Sequence, residues 1–252
     1  MCPHIYIVLP SYMVMAFIGG LISLIIMYLQ YEKYCEDFKE FIKLVIVCVL
    51  GVFFGSKVLF IVTRIPKFIE NMSFENFINI VVQSGFVFYG GLIGVIIGVK
   101  ILTVRDIKKR EKYYYALAPV IPLFHMFGRI GCFMAGCCYG KIIENTVIVF
   151  GYEINRIPVQ LIEAIYEFIL FIILSFISKR EIDKDLLKIY LISYSIFRFV
   201  IEFFRGDEIR GIWFALSTSQ WISVFIIGYY MCNNVKKIIN SKRNVRGYNN
   251  GW

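Results

Sequence analysis

Charged side chains lie inside segments of this chain that are otherwise apolar. Arg129 closes one such segment, and Arg198 and Glu202 lie four residues apart inside another. Inserting a cation at membrane depth costs about 3 kcal/mol or more, so it usually faces a protein interior or a polar cavity and marks a site. The planar fork of donors on arginine matches the oxygens of a phosphate group. The two arginines therefore predict a pocket for a lipid phosphate. Glu202 either orients Arg198 there or only forms an ion pair that lets both charges insert.

Cysteines form a second group of side chains that could do chemistry. Cys132, Cys137 and Cys138 follow Arg129 within the glycine-rich stretch 128–140. They could fill space, form a disulfide in an oxidising exterior, or act as reactive thiols. The two adjacent cysteines could bridge only with strain, so Cys132 and Cys137 are the more feasible disulfide pair. Because the chain has no Cys-x-x-Cys pair and no histidine at zinc-ligand spacing, neither a metal site nor a cofactor is predicted.

Other polar side chains begin or interrupt the apolar segments. Tyr89 precedes Gly90-Gly91, and its hydroxyl needs a partner at this depth. The two glycines serve either a close helix contact or a ligand. His125 lies within an apolar segment, where it is either a general base or a core histidine in a hydrogen-bonded niche. Polar residues also lie near the start of three further segments: Tyr12, Gln160 and Gln220.

The apolar segments that carry these residues define the fold class. Of 252 residues, 59% are hydrophobic and 18% are charged, whereas a soluble domain carries about 25% charged residues. Several runs reach the ~18 residues that span a bilayer. We therefore predict an all-α, polytopic membrane protein that forms a single transmembrane domain over residues 1–252, with a polar, mobile tail at 241–252. Seven spans are predicted, at 12–29, 40–62, 79–103, 113–133, 158–177, 186–204 and 214–232.

The loops on the two sides of these spans differ in basic residues. Six lie on one side: Arg64, Lys67, Lys141, Arg156, Arg205 and Arg210. Seventeen lie on the other: Lys33, Lys39, Lys100, Arg105, Lys108, Lys109, Arg110, Lys112, Lys179, Arg180, Lys184, Lys188, Lys236, Lys237, Lys242, Arg243 and Arg246. By the positive-inside rule, the N-terminus is outside and the C-terminus is cytoplasmic.

The net charge, the first apolar run and the position of the polar side chains each bear on this topology. The net charge of +9 reflects membrane orientation and suits an anionic inner leaflet, so no nucleic-acid partner is expected. The first apolar run is long enough to stay as an anchor rather than to be cleaved as a signal peptide. The polar side chains that begin or close the spans all fall on the outer half, where we expect them to converge on one site.

Four stretches of the sequence resemble the prolipoprotein diacylglyceryl transferase family. They occur in the family's order and are Tyr89-Gly90-Gly91-Leu92-Ile93-Gly94, Arg129-Ile130-Gly131 with Phe133, Pro158-Val159-Gln160-Leu161-Ile162-Glu163, and Arg198-Phe199-Val200-Ile201-Glu202-Phe203-Phe204-Arg205. The resemblance runs from about Tyr12 to about Gln220. It implies a seven-span protein of the bacterial cytoplasmic membrane with an outward-facing site. Such a protein moves diacylglycerol from phosphatidylglycerol to the thiol of a lipobox cysteine in a secreted prolipoprotein precursor.

The resemblance, with the chemistry of the residues, gives the candidate site. A thiolate attacks the glycerol carbon that bears the phosphoester, and fixed cations stabilise the departing glycerol phosphate. Tyr89 is more plausible as a hydrogen-bond donor than as a base, because the ordinary pKa of tyrosine is about 10. The catalytic candidates are Arg129, Arg198, Tyr89 and Glu202. The candidates for substrate binding are Tyr12, Gly90, Gly91, Gly131, Cys132, Gly140, Gln160, Arg205 and Gln220.

Three positions differ from the pattern that is usual in the family. Tyr89 stands in place of histidine, Cys132 in place of asparagine, and Cys137 in place of an acidic residue. Two other functions therefore stay open. One is a membrane thiol-redox protein that uses Cys132, Cys137 and Cys138. The other is a non-catalytic phospholipid-binding paralogue that has kept the arginine pocket.

Overall fold

A computed structural model describes residues 4–5, 9–32, 37–70, 73, 78, 87–149, 151–180, 185–207 and 212–249. Most of them are helical. The α-helices are α1 Ser11–Glu32, α2 Phe38–Glu70, α3 Phe88–Leu102, α4 Ile107–Leu117, α5 Val120–Ala135, α6 Val159–Arg180, α7 Leu186–Ile201 and α8 Thr218–Asn249. A 3-10 turn, Glu202–Phe204, continues α7. The strands are β1 His4–Ile5, β2 Leu9–Pro10, β3 Ile142–Val149, β4 Tyr152–Arg156, β5 Ile212–Trp213 and β6 Leu216–Ser217.

The helices have the length and surface of membrane-spanning segments. Among the described residues, four segments are long and apolar enough to cross a bilayer: Ser11–Glu32, Phe38–Ile65, Ile107–Ala135 and Val159–Arg180. Helix α3 is a shorter apolar helix. Large apolar side chains such as Phe54 and Phe225 point outward from the bundle. Such exposure is unfavourable in water and favourable in contact with lipid. The prediction of a helical membrane protein is confirmed.

The bounds of the predicted spans do not all coincide with those of the helices: α2, for example, runs from Phe38 to Glu70 where 40–62 was predicted. The first part of the predicted third span, 79–86, lies outside the described residues. The seventh continues as α8 through Asn249, so that the helix includes most of the segment 241–252 that the sequence placed in a tail. The mobility of that tail stays a prediction.

The predicted fourth span, 113–133, contains a break between α4 and α5. Helix α4 ends at Leu117 and α5 begins at Val120. Pro119 and Pro122 cause the break, because each lacks the N–H that would bond to the preceding turn. The same chain direction resumes in α5, which carries His125 and Arg129 towards its far end.

Helices α2 and α3 touch through their backbones. A Cβ atom on Gly94 would lie 2.1 Å from the carbonyl oxygen of Gly51, and one on Gly55 would lie 2.2 Å from that of Gly90. A Cβ on Gly91 would lie 2.8 Å from the Ser56 hydroxyl. Small residues allow such approach between helices in lipid. Gly90 and Gly91, predicted to bind substrate or to make a helix contact, make the helix contact.

Polar contacts tie the helices together at the end opposite Arg129. Lys109 Nζ of α4 lies 2.7 Å from Glu40 Oε2 of α2, and the Tyr113 hydroxyl donates to the same oxygen at 3.2 Å. Ser178 of α6 donates to Gln30 of α1 at 3.1 Å. This end carries most of the basic loop residues.

Short antiparallel hairpins at the Arg129 end were not predicted. Strands β3 and β4 pair between α5 and α6 with Ile148 opposite Glu153, and the register shifts between Ile142 and Val147. Strands β5 and β6 pair just before α8. Apolar side chains project from both hairpins: Ile148 is 71% exposed and Phe214 is 91% exposed. The all-α prediction holds for the bundle and misses these hairpins. Strands β5 and β6 have two residues each and are too short to leave a clear sequence pattern, whereas β3 and β4, of eight and five residues, are long enough and were overlooked.

Candidate functional site

Three helices each present two ionisable side chains four residues apart near the same end of the bundle. Residues at this spacing lie on one face of a helix. One pair comes from α5, one from α6, and one from α7 with its 3-10 extension. All of these side chains are buried. We call them the polar cluster: His125, Arg129, Glu163, Glu167, Arg198 and Glu202.

Glu163 lies at the centre of the polar cluster and pairs with arginines from two other helices. Its Oε2 pairs with Nε of Arg129 and its Oε1 with Nη1 of Arg198. Arg198 also pairs with Glu202 through Nη2 at 2.7 Å, as their spacing predicts. The same Nη2 lies 3.4 Å from the Ser219 hydroxyl of α8. Glu163 therefore joins α5, α6 and α7, and Arg198 is held from both sides.

His125 is held through both ring nitrogens. Its Nδ1 lies 2.8 Å from Glu167 Oε1, and its Nε2 accepts from Arg129 Nε at 3.1 Å. Because arginine can only donate, Nε2 carries the lone pair and Nδ1–H donates to Glu167. The ring stacks on Phe88 with 3.5 Å between centroids and meets Tyr194 edge-on at 5.3 Å. This is the core histidine in a hydrogen-bonded niche, the second of the two sequence alternatives.

Arg129 and Arg198 differ in which of their nitrogens are bonded to neighbouring side chains. Among the described residues, Arg129 donates a hydrogen bond to His125 through Nε, and its pair with Glu163 is also made at Nε. Since a guanidinium has five N–H donors, the four on its terminal nitrogens remain for a ligand. Arg198 engages both terminal nitrogens with Glu163, Glu202 and Ser219. Of the two arginines, Arg129 is the one arranged to take an anion.

Tyr89 lies beside the polar cluster and bonds to α8. Its hydroxyl is 2.7 Å from Ser223 Oγ, and Ser223 Oγ donates to the Ser219 carbonyl at 2.9 Å. The Ser223 hydrogen is thereby used, so Tyr89 is the donor to Ser223. Tyr89 is therefore a hydrogen-bond donor to α8, as the sequence favoured, and it lies within electrostatic range of Arg198.

Two predicted binding residues are glutamines that bond to backbone groups. Gln160 Nε2 donates to the Cys137 carbonyl at 2.6 Å. Gln220 accepts from Ser217 N–H at 2.9 Å and donates to the Phe199 carbonyl at 3.3 Å. These amides fix the loop after α5 and the junction of α7 with α8, respectively.

Arg205 and Gly140 lie together just beyond the helix ends. Arg205 forms a two-point pair with Asp207, at 2.9 Å from Nε and 2.6 Å from Nη2. Gly140 pairs with Arg205 in an antiparallel bridge and donates to the Ile157 carbonyl at 3.1 Å. A Cβ on Gly140 would lie 2.4 Å from that carbonyl. The glycine is required by backbone packing between the loop after α5 and the segment before α6.

Tyr12 and Gly131 form the contact between α1 and α5. A Cβ on Gly131 would lie 3.2 Å from the Tyr12 Cα. The Tyr12 phenol is close enough to Cys132, Cys137 and Cys138 to interact with them electrostatically. Gly131 thus serves helix packing, and Tyr12 borders the cysteines.

The three cysteines converge where α5 ends. Their Sγ atoms all lie within 4.8 Å of one another, and the thiols are free. Gly136 ends α5 in the left-handed conformation, with φ of 73°, and Cys138 also has a positive φ, of 57°. These two residues turn the chain back so that Cys137 and Cys138 face Cys132. We call Cys132, Cys137 and Cys138 the thiol cluster.

The surroundings of Cys138 favour its thiolate. Hydrogen bonds from the Cys132 and Cys137 thiols lower the pKa of the Cys138 thiol, and the positive charges of Arg129 and Arg205 act in the same direction. The charges of Arg129 and Arg205 therefore add to the hydrogen bonds that stabilise an anionic sulfur at Cys138.

A cavity of about 400 Å³ opens at the loop between α5 and β3. Its walls include Phe133 and Gly136 of the α5 end, Gln160 of α6, and residues of β4. The Arg156 guanidinium lies over the Tyr139 ring, 4.2 Å from its centroid, and both side chains line the cavity. A ligand in this cavity would lie against the loop that carries the cysteines.

The sequence interpretation missed Glu167 altogether and left Glu163 out of its site residues. The signal was present, because the two acids lie four residues apart in an otherwise apolar helix. Buried acids at membrane depth are as costly as buried bases and call for partners. Ser219 and Ser223 of α8 were also missed, since serines near a helix start are common and carry no distinct signal.

The fold and site define a class: a helical membrane protein whose bundle encloses a network of arginines and acids near one end. The sequence matches the family model described as prolipoprotein diacylglyceryl transferase over residues 3–233. It is 34% identical over 235 residues to the phosphatidylglycerol–prolipoprotein diacylglyceryl transferase of Clostridium tetani, covering 88% of this chain and 92% of the relative.

Two further relatives agree. The phosphatidylglycerol–prolipoprotein diacylglyceryl transferase 2 of Clostridium perfringens is 33% identical over 83% of each chain. The phosphatidylglycerol–prolipoprotein diacylglyceryl transferase of Helicobacter pylori strain J99 is 29% identical over 82% of each chain. The chain belongs to the prolipoprotein diacylglyceryl transferase family.

Proposed function

We propose that this protein transfers the diacylglyceryl group of phosphatidylglycerol to the lipobox cysteine thiol of a secreted prolipoprotein. Family membership supports the reaction class. The observation that carries the proposal is the set of contacts made by Arg129. Glu163 and His125 hold its Nε, and its terminal N–H donors are left for an anion. A donor held in place before the substrate arrives stabilises developing charge without reorganisation.

The arrangement supports the following course for the proposed reaction. The substrate thiolate attacks the glycerol carbon that bears the phosphoester. A C–S bond forms, the C–O bond breaks, and its electron pair leaves on the phosphate oxygen of glycerol phosphate. Arg129 donates to the phosphate oxygens as this charge develops. Arg198, which is held by Glu163 and Glu202, positions Glu163 and through it Arg129.

The substrate thiol must lose its proton before it attacks. His125 is not placed to remove it, because both of its nitrogens are engaged within the polar cluster. A thiol has an ordinary pKa of about 8.5, and nearby positive charge lowers it into the neutral range. The charges of Arg129 and Arg205, which already favour the Cys138 thiolate, supply that potential at the outer end of the site.

The proposed topology has seven spans in one transmembrane domain of the bacterial cytoplasmic membrane. The N-terminus and the polar cluster lie on the outer side, and the C-terminus is cytoplasmic. This assignment is supported by the loop charges, with 17 basic residues on one side and six on the other, and by the positive-inside rule. It places the site where a secreted precursor and outer-leaflet phosphatidylglycerol meet.

A reporter fused after Trp252 tests the topology. We expect alkaline phosphatase at this position to be inactive and green fluorescent protein to fluoresce, since phosphatase folds only outside the cytoplasm. Fusions in the loop between β3 and β4 at Gly151 should behave in the opposite way. An active phosphatase at the C-terminus would reverse the orientation.

The function itself is tested by complementation and by a direct assay. The gene should restore lipoprotein modification in cells depleted of their own transferase. Purified protein in phosphatidylglycerol vesicles should move labelled diacylglycerol onto a lipobox peptide and not onto a peptide whose cysteine is replaced by serine. Phospholipid binding without transfer would instead indicate the non-catalytic paralogue.

Replacing Cys132, Cys137 and Cys138 together by serine separates a transferase from a thiol-redox protein. A transferase uses the thiol of its substrate, so we expect transfer to fall only through lost packing, which typically destabilises by about 1–3 kcal/mol. A thiol relay would lose all activity when its first cysteine is removed. The assay is labelled lipid transfer at equal protein levels, and complete loss in a folded variant would argue against the transferase mechanism given above.

A further inference from the structure

The proposed transfer steps do not use the thiols of the thiol cluster, whose geometry resembles that of a metal site. Metal–sulfur bonds of about 2.3 Å in a tetrahedral site hold the sulfur atoms about 3.8 Å apart. The three Sγ atoms already lie within 4.8 Å of one another. A side-chain movement of about 1 Å therefore closes the cluster around one cation.

The backbone is organised to keep the three sulfurs together. The Cys137 N–H donates to the Cys132 carbonyl at 3.1 Å, which closes the turn at the end of α5. Gln160 holds the Cys137 carbonyl from α6 at 2.6 Å. Cys138 adopts a left-handed conformation, with φ of 57°, which is unfavourable for a residue with a side chain. Such a conformation persists only where its surroundings fix it.

The local charge also suits a bound cation. Three thiolates and one divalent cation carry a net charge of −1. Arg129 and Arg205 both lie within electrostatic range of Cys138, so the loaded site would sit among compensating positive charges. Cys137 is exposed, which gives a cation in solution access to the cluster.

The sequence pattern indicated this arrangement only weakly. Zinc motifs have two cysteines separated by two to four residues, and the four residues between Cys132 and Cys137 are at the upper limit of that range. That spacing brings two sulfurs together here because α5 ends between them at a left-handed Gly136. The expectation of no metal site rested on spacing alone.

We propose that Cys132, Cys137 and Cys138 form a binding site for one soft, thiophilic cation such as Zn²⁺. A ligand set made only of sulfur selects soft cations over Mg²⁺ or Ca²⁺. With three protein ligands, a tetrahedral cation keeps a fourth position for water or an external thiol. Binding releases the protons of those thiols that are not already ionised.

Cadmium titration of the purified full-length protein tests the site. The protein is kept in detergent with a phosphine reductant, so that a disulfide cannot mask the thiols. We expect a thiolate-to-cadmium charge-transfer band in the ultraviolet that saturates at one equivalent. The Cys132→Ser/Cys137→Ser/Cys138→Ser variant should lose the band, and Cys137→Ser alone should weaken binding at least tenfold. A Cys48→Ser/Cys232→Ser variant, which removes free thiols elsewhere in the chain, should bind like the wild type.

Alkylation of the wild-type protein gives a second measurement that needs no variant. Bound Cd²⁺ should protect Cys132, Cys137 and Cys138 from a maleimide, as read by mass spectrometry, and should leave the labelling of Cys48 and Cys232 unchanged. Wild-type protein without a saturable band would overturn the proposal. So would an unchanged band in the triple variant, or protection that falls on other cysteines. Because neither readout depends on lipid transfer, the result is independent of the proposed function.

Discussion

Arg129→Ala should abolish diacylglyceryl transfer while the protein remains folded and inserted. The substitution removes the terminal N–H donors of Arg129, which the contacts of Nε with His125 and Glu163 hold in place for the phosphate. Removing one preorganised donor to a developing anion typically lowers kcat by about 10²–10³. Arg129→Lys should also fail, because a single ammonium cannot pair with Glu163 and present a fork to the phosphate. The measurement is transfer of labelled lipid to a lipobox peptide by purified protein.

Arg180→Ala provides the matched control for this prediction. Arg180 is the last residue of α6, at the end of that helix away from Glu163. Its guanidinium covers the Phe176 ring. We expect its replacement to leave the transfer rate within about twofold of the wild type, since substitutions away from a site usually change stability by less than about 0.5 kcal/mol. Near-normal transfer by Arg129→Ala, at wild-type abundance in the membrane, would refute the role given to this arginine.

Glu163→Gln should reduce both stability and transfer. The carboxylate is the shared partner of Arg129 and Arg198, and an amide of nearly the same shape removes its charge. Breaking a buried pair by removing one partner destabilises by about 3–5 kcal/mol, because the remaining charge stays buried without compensation. We therefore expect a clearly lower unfolding temperature in detergent, together with a loss of transfer as Arg129 loses its anchor.

Glu153→Gln is the control for Glu163→Gln, since it makes the same chemical change at an exposed position of β4. Its unfolding temperature should match that of the wild type. If the two variants unfold at the same temperature, the polar cluster does not hold the three helices together. Normal stability with lost transfer would limit Glu163 to positioning Arg129.

The helices could be predicted from sequence because each depends on a local apolar run. The fifth predicted span, 158–177, corresponds to α6 at Val159–Arg180, and the sixth, 186–204, to α7 and its 3-10 turn. The ion pair of Arg198 and Glu202 also followed from spacing alone. These features involve residues within one or two helical turns, so their geometry is contained in the sequence order.

Contacts between distant segments could not be predicted in this way. Glu163 and Arg198 are 35 residues apart, and Tyr89 and Ser223 are 134 apart. Which arginine retains free donors depends on how α5, α6 and α7 pack, and no pattern in one helix records that. The meeting of Cys132 with Cys138 likewise depends on a left-handed turn at Gly136.

The β3–β4 and β5–β6 hairpins bear on how deep the protein sits in the bilayer. Ile148 at 71% exposure and Phe214 at 91% exposure leave the bundle at the end that holds Arg129. Such side chains prefer the boundary between headgroups and acyl chains to water. Resting on that boundary, the hairpins would set the vertical register of the protein against the leaflet at the Arg129 end. An enzyme that draws its substrate from a monolayer needs such a register, because the ester to be broken lies at one height and the arginine must meet it there.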